Sequence, residues 1–457
     1  MLKAVKKIFF IEEIRTKVLF TLLMLVICRI GAYIPVPGIN GDEVVQIFRQ
    51  LTGGSQNLFQ LVDIFSGGAF AHMTVIALGV MPYISASIIM QILIAVIPSF
   101  QRDIRENGEA GRRKMGKGIR FLTIILALFQ SALLGKYALG FNLSHPGIIV
   151  SELLRHQILG FPWLFYLIIM LTMSTGTLFL MWIGEQISER GIGNGVSLII
   201  SIGILASFPS TLGTIIRQLN LDSQEPGQIT FSSLVVLSIV FVLIILGTIL
   251  VIQGTRKVPI QYARRMVGRR EGQGGTSHIP LKVNYAGVIP VIFASSLLMF
   301  PATIAQFLST GTWFATIVNW LSPGSWVYTA LFVLLIIFFT YFWTATQFHP
   351  EQIASDMKRN GAFIPGIRQG KFTQEFLEST MNYITLAGAV FLAVIAILPM
   401  LVGKILNVDA TISHFFGGTS LLILVGVILD TTKQIESHML MKQYDGFMKR
   451  GRVTGRI

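Results

Sequence analysis

Charge is what this sequence has least of. Only 13% of its 457 residues are Asp, Glu, Lys or Arg, 53% are hydrophobic, and the mean hydropathy is +0.68. Soluble domains carry a charged fraction of about 25%, and a domain of this length needs more polar surface than these residues supply. A water-soluble enzyme and a disordered chain are both excluded, and the chain belongs in a membrane. The single cysteine, Cys28, excludes an internal disulfide and an all-cysteine metal site. The seven histidines show no metal-ligand spacing such as HExxH. Gly111-Arg-Arg-Lys-Met-Gly-Lys-Gly118 falls short of a phosphate-binding loop, lacking the final Ser or Thr that ligates magnesium and any preceding strand. No catalytic constellation, metal or cofactor site is expected, so driving energy must come from outside the chain.

Apolar helix is what the sequence has in abundance. A crossing takes about 20 apolar residues. Ten stretches qualify: 18–37, 73–97, 119–139, 161–184, 194–216, 231–253, 286–308, 326–346, 382–402 and 415–432. The expected fold is an all-α polytopic membrane protein with ten transmembrane helices. Lys3, Lys6, Lys7, Arg15 and Lys17 precede Val18–Cys28 as in a secretory signal. Arg29 interrupts the run and no small-residue cleavage site follows, so the segment reads as a retained first span. An even count puts both termini on one side. That side holds 30 of the 36 Lys and Arg, and the other side holds five: Arg49, Lys136, Arg155, Arg217 and Lys404. The bias places both termini in the cytoplasm, and most of the net charge of +14 with them.

The segment 57–70 fits no span. Its apolar part, with Leu58, Leu61, Val62, Ile64 and Phe65, is about nine residues, and Gly67-Gly68 ends it. That is too short to cross. It is either an outer loop packed on the bundle or a short helix re-entering an aqueous cavity, where broken backbone is tolerated at membrane depth.

Span 2 reads Gly79-Val-Met-Pro-Tyr-Ile-Ser-Ala-Ser-Ile-Ile89 and span 7 reads Gly287-Val-Ile-Pro-Val-Ile-Phe-Ala-Ser-Ser-Leu297, with six of eleven positions identical at an offset of 208. Gly195, Ser197, Leu198, Ile200 and Gly203 of span 5 match Gly418, Ser420, Leu421, Ile423 and Gly426 of span 10 at an offset of 223. Partners five spans apart cross in opposite directions, which makes an inverted repeat of two five-helix halves, 1–217 and 218–457, with the pathway at their interface. Matched positions there are Ile84 with Ile292 and Ile200 with Ile423, and Val80 and Val196 lie one helical turn before Ile84 and Ile200. Any one of these is ordinary helix packing; together they suggest an aliphatic constriction that blocks ions by dewetting. Small-solute transporters place ionisable groups inside their spans. Here Arg29 is nearly alone, with Glu185 and Asp430 at span ends. An intramembrane enzyme or insertase would need a buried dyad or a polar groove.

Two cytoplasmic loops are long. Loop 254–285 alternates Val258, Ile260 and Tyr262 before a Gly/Arg-rich stretch, suggesting a projecting strand pair. Loop 347–381 reads as a helix after Pro350, a turn at Phe363–Gly370 and a second helix. Orientation bias accounts for their charges generically; as projections they would also attract an acidic protein or an RNA backbone.

The stretches Gly79–Gln91, Glu189-Arg-Gly-Ile-Gly-Asn-Gly195, Pro280–Pro290 with Phe293-Ala-Ser-Ser296, Phe363–Gly370 and Phe416–Leu422 closely resemble the SecY family, the channel subunits of bacterial preprotein translocases, and the resemblance covers essentially the whole chain. It implies two halves arranged as a clamshell around an hourglass pore in the bacterial plasma membrane. It implies a pore ring at Val80, Ile84, Val196, Ile200, Ile292 and Ile423, two of them Val where the family often has Ile, and a plug at 57–70. A lateral gate between spans 2–3 and 7–8 is implied as well. The family's essential cytoplasmic arginine matches Arg368, its basic pair matches Arg269 and Arg270, and Arg264, Arg265 and Lys371 lie on the same docking loops. The implied partners are the SecE and SecG subunits, the SecA motor ATPase or a translating ribosome, preprotein signal sequences and membrane lipids.

Overall fold

The computed structural model describes residues 11–52, 58–144, 146–155, 162–218, 231–262, 266–267, 270–271, 276–307, 316, 320–322, 324–406, 412 and 419–450. In chain order its helices are α1 (Glu12–Gly31), α2 (Gly41–Thr52), α3 (Leu58–Ser66), α4 (Met81–Val96), α5 (Pro98–Ser144), α6 (Ser151–Arg155), α7 (Trp163–Arg190) and α8 (Gly195–Ala206). They continue as α9 (Phe208–Gln218), α10 (Phe231–Gln253), α11 (Ile289–Phe307), α12 (Trp326–Gln347), α13 (Pro350–Arg359), α14 (Lys371–Ile405) and α15 (Thr419–Arg450). The strands are β1 (Thr255–Tyr262), β2 (Met266–Val267), β3 (Arg270–Glu271), β4 (Thr276–Lys282) and β5 (Ala362–Phe363).

All ten expected spans fall on helices: α1, α4, α5, α7, the α8–α9 pair, α10, α11, α12, α14 and α15. Their bounds differ for local reasons. Span 1 does not run to 37: α1 stops at Gly31, ahead of Pro35 and Pro37. Arg29 therefore sits in the last turn of α1, at the end of the helix dipole that favours a cation. Span 2 does not start at 73. The backbone turns repeatedly there (Met73 N–H to Phe70 O, Ala77 N–H to Thr74 O, Gly79 N–H to Ile76 O), and α4 begins only at Met81. Pro82 then occupies the first turn, where its missing N–H costs nothing. These turns are mostly buried, the one place where irregular backbone is tolerated at membrane depth.

The expected loop between spans 2 and 3 is instead the first part of α5, bent at Gly108 (φ 50°, ψ −110°), and the Gly111–Gly118 stretch is helical. Span 5 breaks at Ser207. The second helix expected in loop 347–381 is continuous with span 9 as α14.

The repeat is visible in the backbone. Gly79 (φ 57°) and Gly287 (φ 60°) are both left-handed, and each precedes a helix that starts two residues later. The Val80 carbonyl accepts the Ile84 N–H and the Val288 carbonyl accepts the Ile292 N–H. A β-carbon is disfavoured at such φ values, which is why both repeats begin with glycine.

Leu19, Leu22 and Leu23 on α1, Leu246 and Leu250 on α10, Phe338 on α12 and Val394 on α14 are exposed. Six helices among the described residues are long and apolar enough to cross a bilayer. Such a surface is unfavourable in water and matched to lipid. The bundle's interior is one continuous apolar cluster, and a second one, with Val258, Ile260, Leu281, Met357 and Leu377, lies under the two long loops. There β1 and β4 pair antiparallel from Thr255↔Lys282 to Gln261↔Thr276, as the alternation suggested. The sequence reading treated the two loops separately, but β5 of the second loop joins the other edge of β1, giving the order β4-β1-β5.

Candidate pore and docking surface

A capped helix start and an asparagine-held turn position the aliphatic residues. Asn194 Oδ1 accepts the Ser197 N–H at 3.3 Å and caps α8. Around it, the N–H of Ile192 donates to Thr21 Oγ1 of α1 (3.1 Å), that of Gly193 to Gln434 Oε1 of α15 (2.8 Å) and that of Gly195 to Ser188 Oγ (2.9 Å). A side chain at Gly195 would collide with the Gly184 carbonyl. The Glu189–Gly195 stretch is thus a backbone knot tied to three helices, and it fixes Val196 and Ile200. At the other repeat, Asn284 Nδ2 donates to the Gly287 carbonyl (2.6 Å) and Asn284 Oδ1 accepts the Ala286 N–H (3.0 Å), which fixes α11 and Ile292.

Val80, Ile84, Ile200, Ile292 and Ile423 are all buried in the central cluster, and Val196 is half-buried against it. The six thus lie on α4 and its leading turn, α8, α11 and α15, inside an apolar cluster that runs through the whole bundle. The same cluster holds Val62, Ile64 and Phe65 of α3. The side chains of Leu58 and Leu61 lie outside the described residues. Helix α3 packs on α8 and α11. It ends in a Schellman turn: Gly67 (φ 68°) donates to the Ile64 carbonyl and Gly68 (φ 88°) to the Asp63 carbonyl.

Asp63 Oδ1 accepts the Ala71 N–H at 2.8 Å. Burial pushes its carboxyl from 3.8 up to about 6, against the opposing pull of backbone N–H groups of Ala71 and Phe70. Relative to a displaced α3 with an ordinary carboxyl, the docked state gains most from protonation below about pH 4. That advantage is lost as pH rises through about 6. Asp63→Asn keeps the acceptor and removes the charge, so resting ion leak in its bilayers should lose its rise between pH 4 and 6.5; an unchanged pH profile contradicts this.

Helices α4 and α5 of the first half pack against α11 of the second. A cavity of about 50 Å³ lies in that seam, lined by residues including Val62, Met81, Ser85, Gln130, Ser296 and Met299. Ser296 Oγ is buried without a hydrogen-bond partner among the described residues.

In the second long loop, Arg368 and Lys371 are exposed beside the turn between β5 and α14. The turn is pinned by Gln369 Nε2 on the Ala362 carbonyl (3.1 Å) and Thr373 Oγ1 on the Arg368 carbonyl (2.8 Å), which leaves the Arg368 guanidinium free to project. Arg264, Arg265 and Arg269 lie outside the described residues, and Arg270 is in β3, paired with Val267.

The sequence reading missed two contacts. By the 208-residue offset Val288 is the counterpart of Val80, and it fills a notch over Gly426 of α15. Arg29, noted only as an isolated charge, donates to the Gly67 carbonyl at 2.8 Å.

A profile of the SecY family matches residues 74–432. The protein translocase subunit SecY of Chlamydia trachomatis serovar D is 61% identical over 452 residues, covering 99% of each chain. A solved structure described as "The structure of a protein conducting channel" aligns with a TM-score of 0.62 at 18% identity, covering 96% of this chain and 94% of that one. "Sec61 in the Canine ribosome-channel complex from the endoplasmic reticulum" aligns at 0.58 and 17% identity, with the same coverage. At these identities the structural likeness is one of fold. The family profile over residues 74–432 and the 61% identity along almost the full length agree: this chain belongs to the SecY family.

Proposed function

We propose that this chain is the passive protein-conducting channel of a bacterial plasma-membrane translocase, with both termini in the cytoplasm. The six residues Val80, Ile84, Val196, Ile200, Ile292 and Ile423 act as its ring and α3 as its plug. The halves 1–217 and 218–457 open as a clamshell, and a signal or membrane segment leaves sideways between α4–α5 and α11–α12. One observation carries this reading: α3, too short to cross, packs on α8 and α11, the helices that carry Val196, Ile200 and Ile292.

The chemistry suits the task. An unfolded chain of any sequence has to pass, so specific polar contacts in the conduit would retain some segments. Aliphatic side chains seal by excluding water and hold nothing tightly. A hydrophobic segment gains roughly 0.8 kcal/mol per buried methylene on entering lipid, which drives sideways release without a fuel. Motion along the pore has no such gradient, so a SecA motor or a translating ribosome supplies it from the basic loops, with SecE and SecG completing the membrane complex.

The test is cross-linking in a Cys28→Ala background. Cysteines at positions 64 and 292 should be bridged by a short bismaleimide in the resting channel and should escape bridging when a translocating chain is arrested in it. Consistent failure at rest, with both thiols reactive, contradicts the plug and ring assignments together.

A further inference from the structure

Arginine 29 ends α1 beside the ring, in a small cavity it shares with Phe65, Gly79, Val80 and Gly203. It has no ion pair with a carboxylate among the described residues. Its Nη1 donates to the Gly67 carbonyl at 2.8 Å, just past the last turn of α3, and its remaining contacts are with Tyr33: a ring 5.6 Å away and a long 3.5 Å approach to the hydroxyl. A guanidinium at membrane depth requires acceptors. Here the acceptor belongs to the segment that has to move.

The inverted repeat shows why α3 sits at this spot. Gly203 of α8 and Gly426 of α15 are repeat partners at the 223-residue offset. In the second half the notch at Gly426 is filled by Val288. In the first half the notch at Gly203 is filled by the backbone of α3: a β-carbon on Gly203 would lie 3.1 Å from the Phe65 carbonyl oxygen and 3.4 Å from the Gly67 nitrogen. Gly67 is equally constrained. Its φ is 68°, and a β-carbon there would lie 2.6 Å from Arg29 Nη1 and 2.7 Å from the Gly203 Cα. Two independent contacts thus converge on one residue.

We infer that Arg29 and Gly203 form a clasp that seats α3 in the closed channel, Arg29 by holding the Gly67 carbonyl and Gly203 by admitting the α3 backbone. Arg29 is a positioning residue in this account, which rests on the channel reading above. A neutral carbonyl makes a fitting partner. It holds the cation more weakly than a carboxylate would, so the clasp can release when a signal segment opens the halves. Once released, the guanidinium faces the water of the opened pathway.

The test uses the full chain in its translocase complex, reconstituted in planar bilayers, with resting conductance as the readout. Arg29→Met should raise it roughly tenfold, the scale of one lost charge-assisted hydrogen bond, and Arg29→Lys should restore part of the seal. Arg29→Met should add nothing once residues 58–66 are deleted, because the clasp then has nothing to hold. Gly203→Val, which leaves Arg29 intact, should leak as Arg29→Met does and decides the matter if Arg29→Met fails to insert. Conductance within twofold of wild type for the inserted variants, or an equal added leak in the deletion background, overturns the clasp. Wild-type preprotein translocation into vesicles from the same preparation tests the channel reading separately.

Discussion

Replacing Ile84 and Ile292 together by glycine should raise resting ion conductance in planar bilayers by about tenfold or more, since a lowering of the dehydration barrier by only about 1.4 kcal/mol suffices for that factor. The two side chains are repeat partners, both are buried in the central cluster, and they approach from opposite halves. In the proposed ring, removing both widens an apolar constriction whose blocking depends on staying dry. Glycine also weakens each helix by about 1 kcal/mol relative to alanine. The alanine pair is therefore the matched control and should fall between wild type and the glycine pair. Conductance unchanged in the glycine pair, with normal insertion, would count against a seal at these positions.

Arg368→Glu should abolish motor-driven translocation while leaving the protein inserted, its thermal stability unchanged and its resting conductance at the wild-type level. The side chain is exposed, and the fold of its turn depends on the Gln369 side chain and on the Arg368 carbonyl rather than on the guanidinium. Surface substitutions of this kind shift stability by about 0.5 kcal/mol or less. Breaking a charge pair that a docked partner buries costs about 2–5 kcal/mol, roughly 30-fold or more in affinity. Arg368→Lys should recover only part of the activity, because an ammonium lacks the planar fork of donors. Normal translocation by Arg368→Glu would remove this turn from the docking surface.

How much of this was legible in the sequence differs from element to element. The spans were, because their length is set by the bilayer and their composition by lipid. The repeat was, because Gly79 and Gly287 are held by a backbone angle that other residues resist. The late start of α4 was not: residues 73–80 are as apolar as a span, and only their tertiary burial decides that they form turns. The sheet shared by the two long loops was hidden for a similar reason, since β5 contributes just Ala362 and Phe363 and a two-residue strand has no periodicity to read. The six ring positions follow from repeat matching, helical spacing and resemblance; the fold buries five of them and half-buries Val196, and their ring role is a proposal. The Arg29–Gly67 contact was beyond reach, as it joins residues 38 apart through a guanidinium and a backbone carbonyl, and a carbonyl leaves no mark on the sequence.

The central claim, a passive protein channel driven from outside, is tested most directly by reconstituting the purified chain with SecE, SecG and SecA in vesicles and scoring preprotein protected from added protease. Protected full-length preprotein should accumulate only with ATP and the motor, and no protection should appear with the chain alone. ATP-dependent translocation without any motor, or no protected preprotein with all partners present and correctly inserted, would contradict the account.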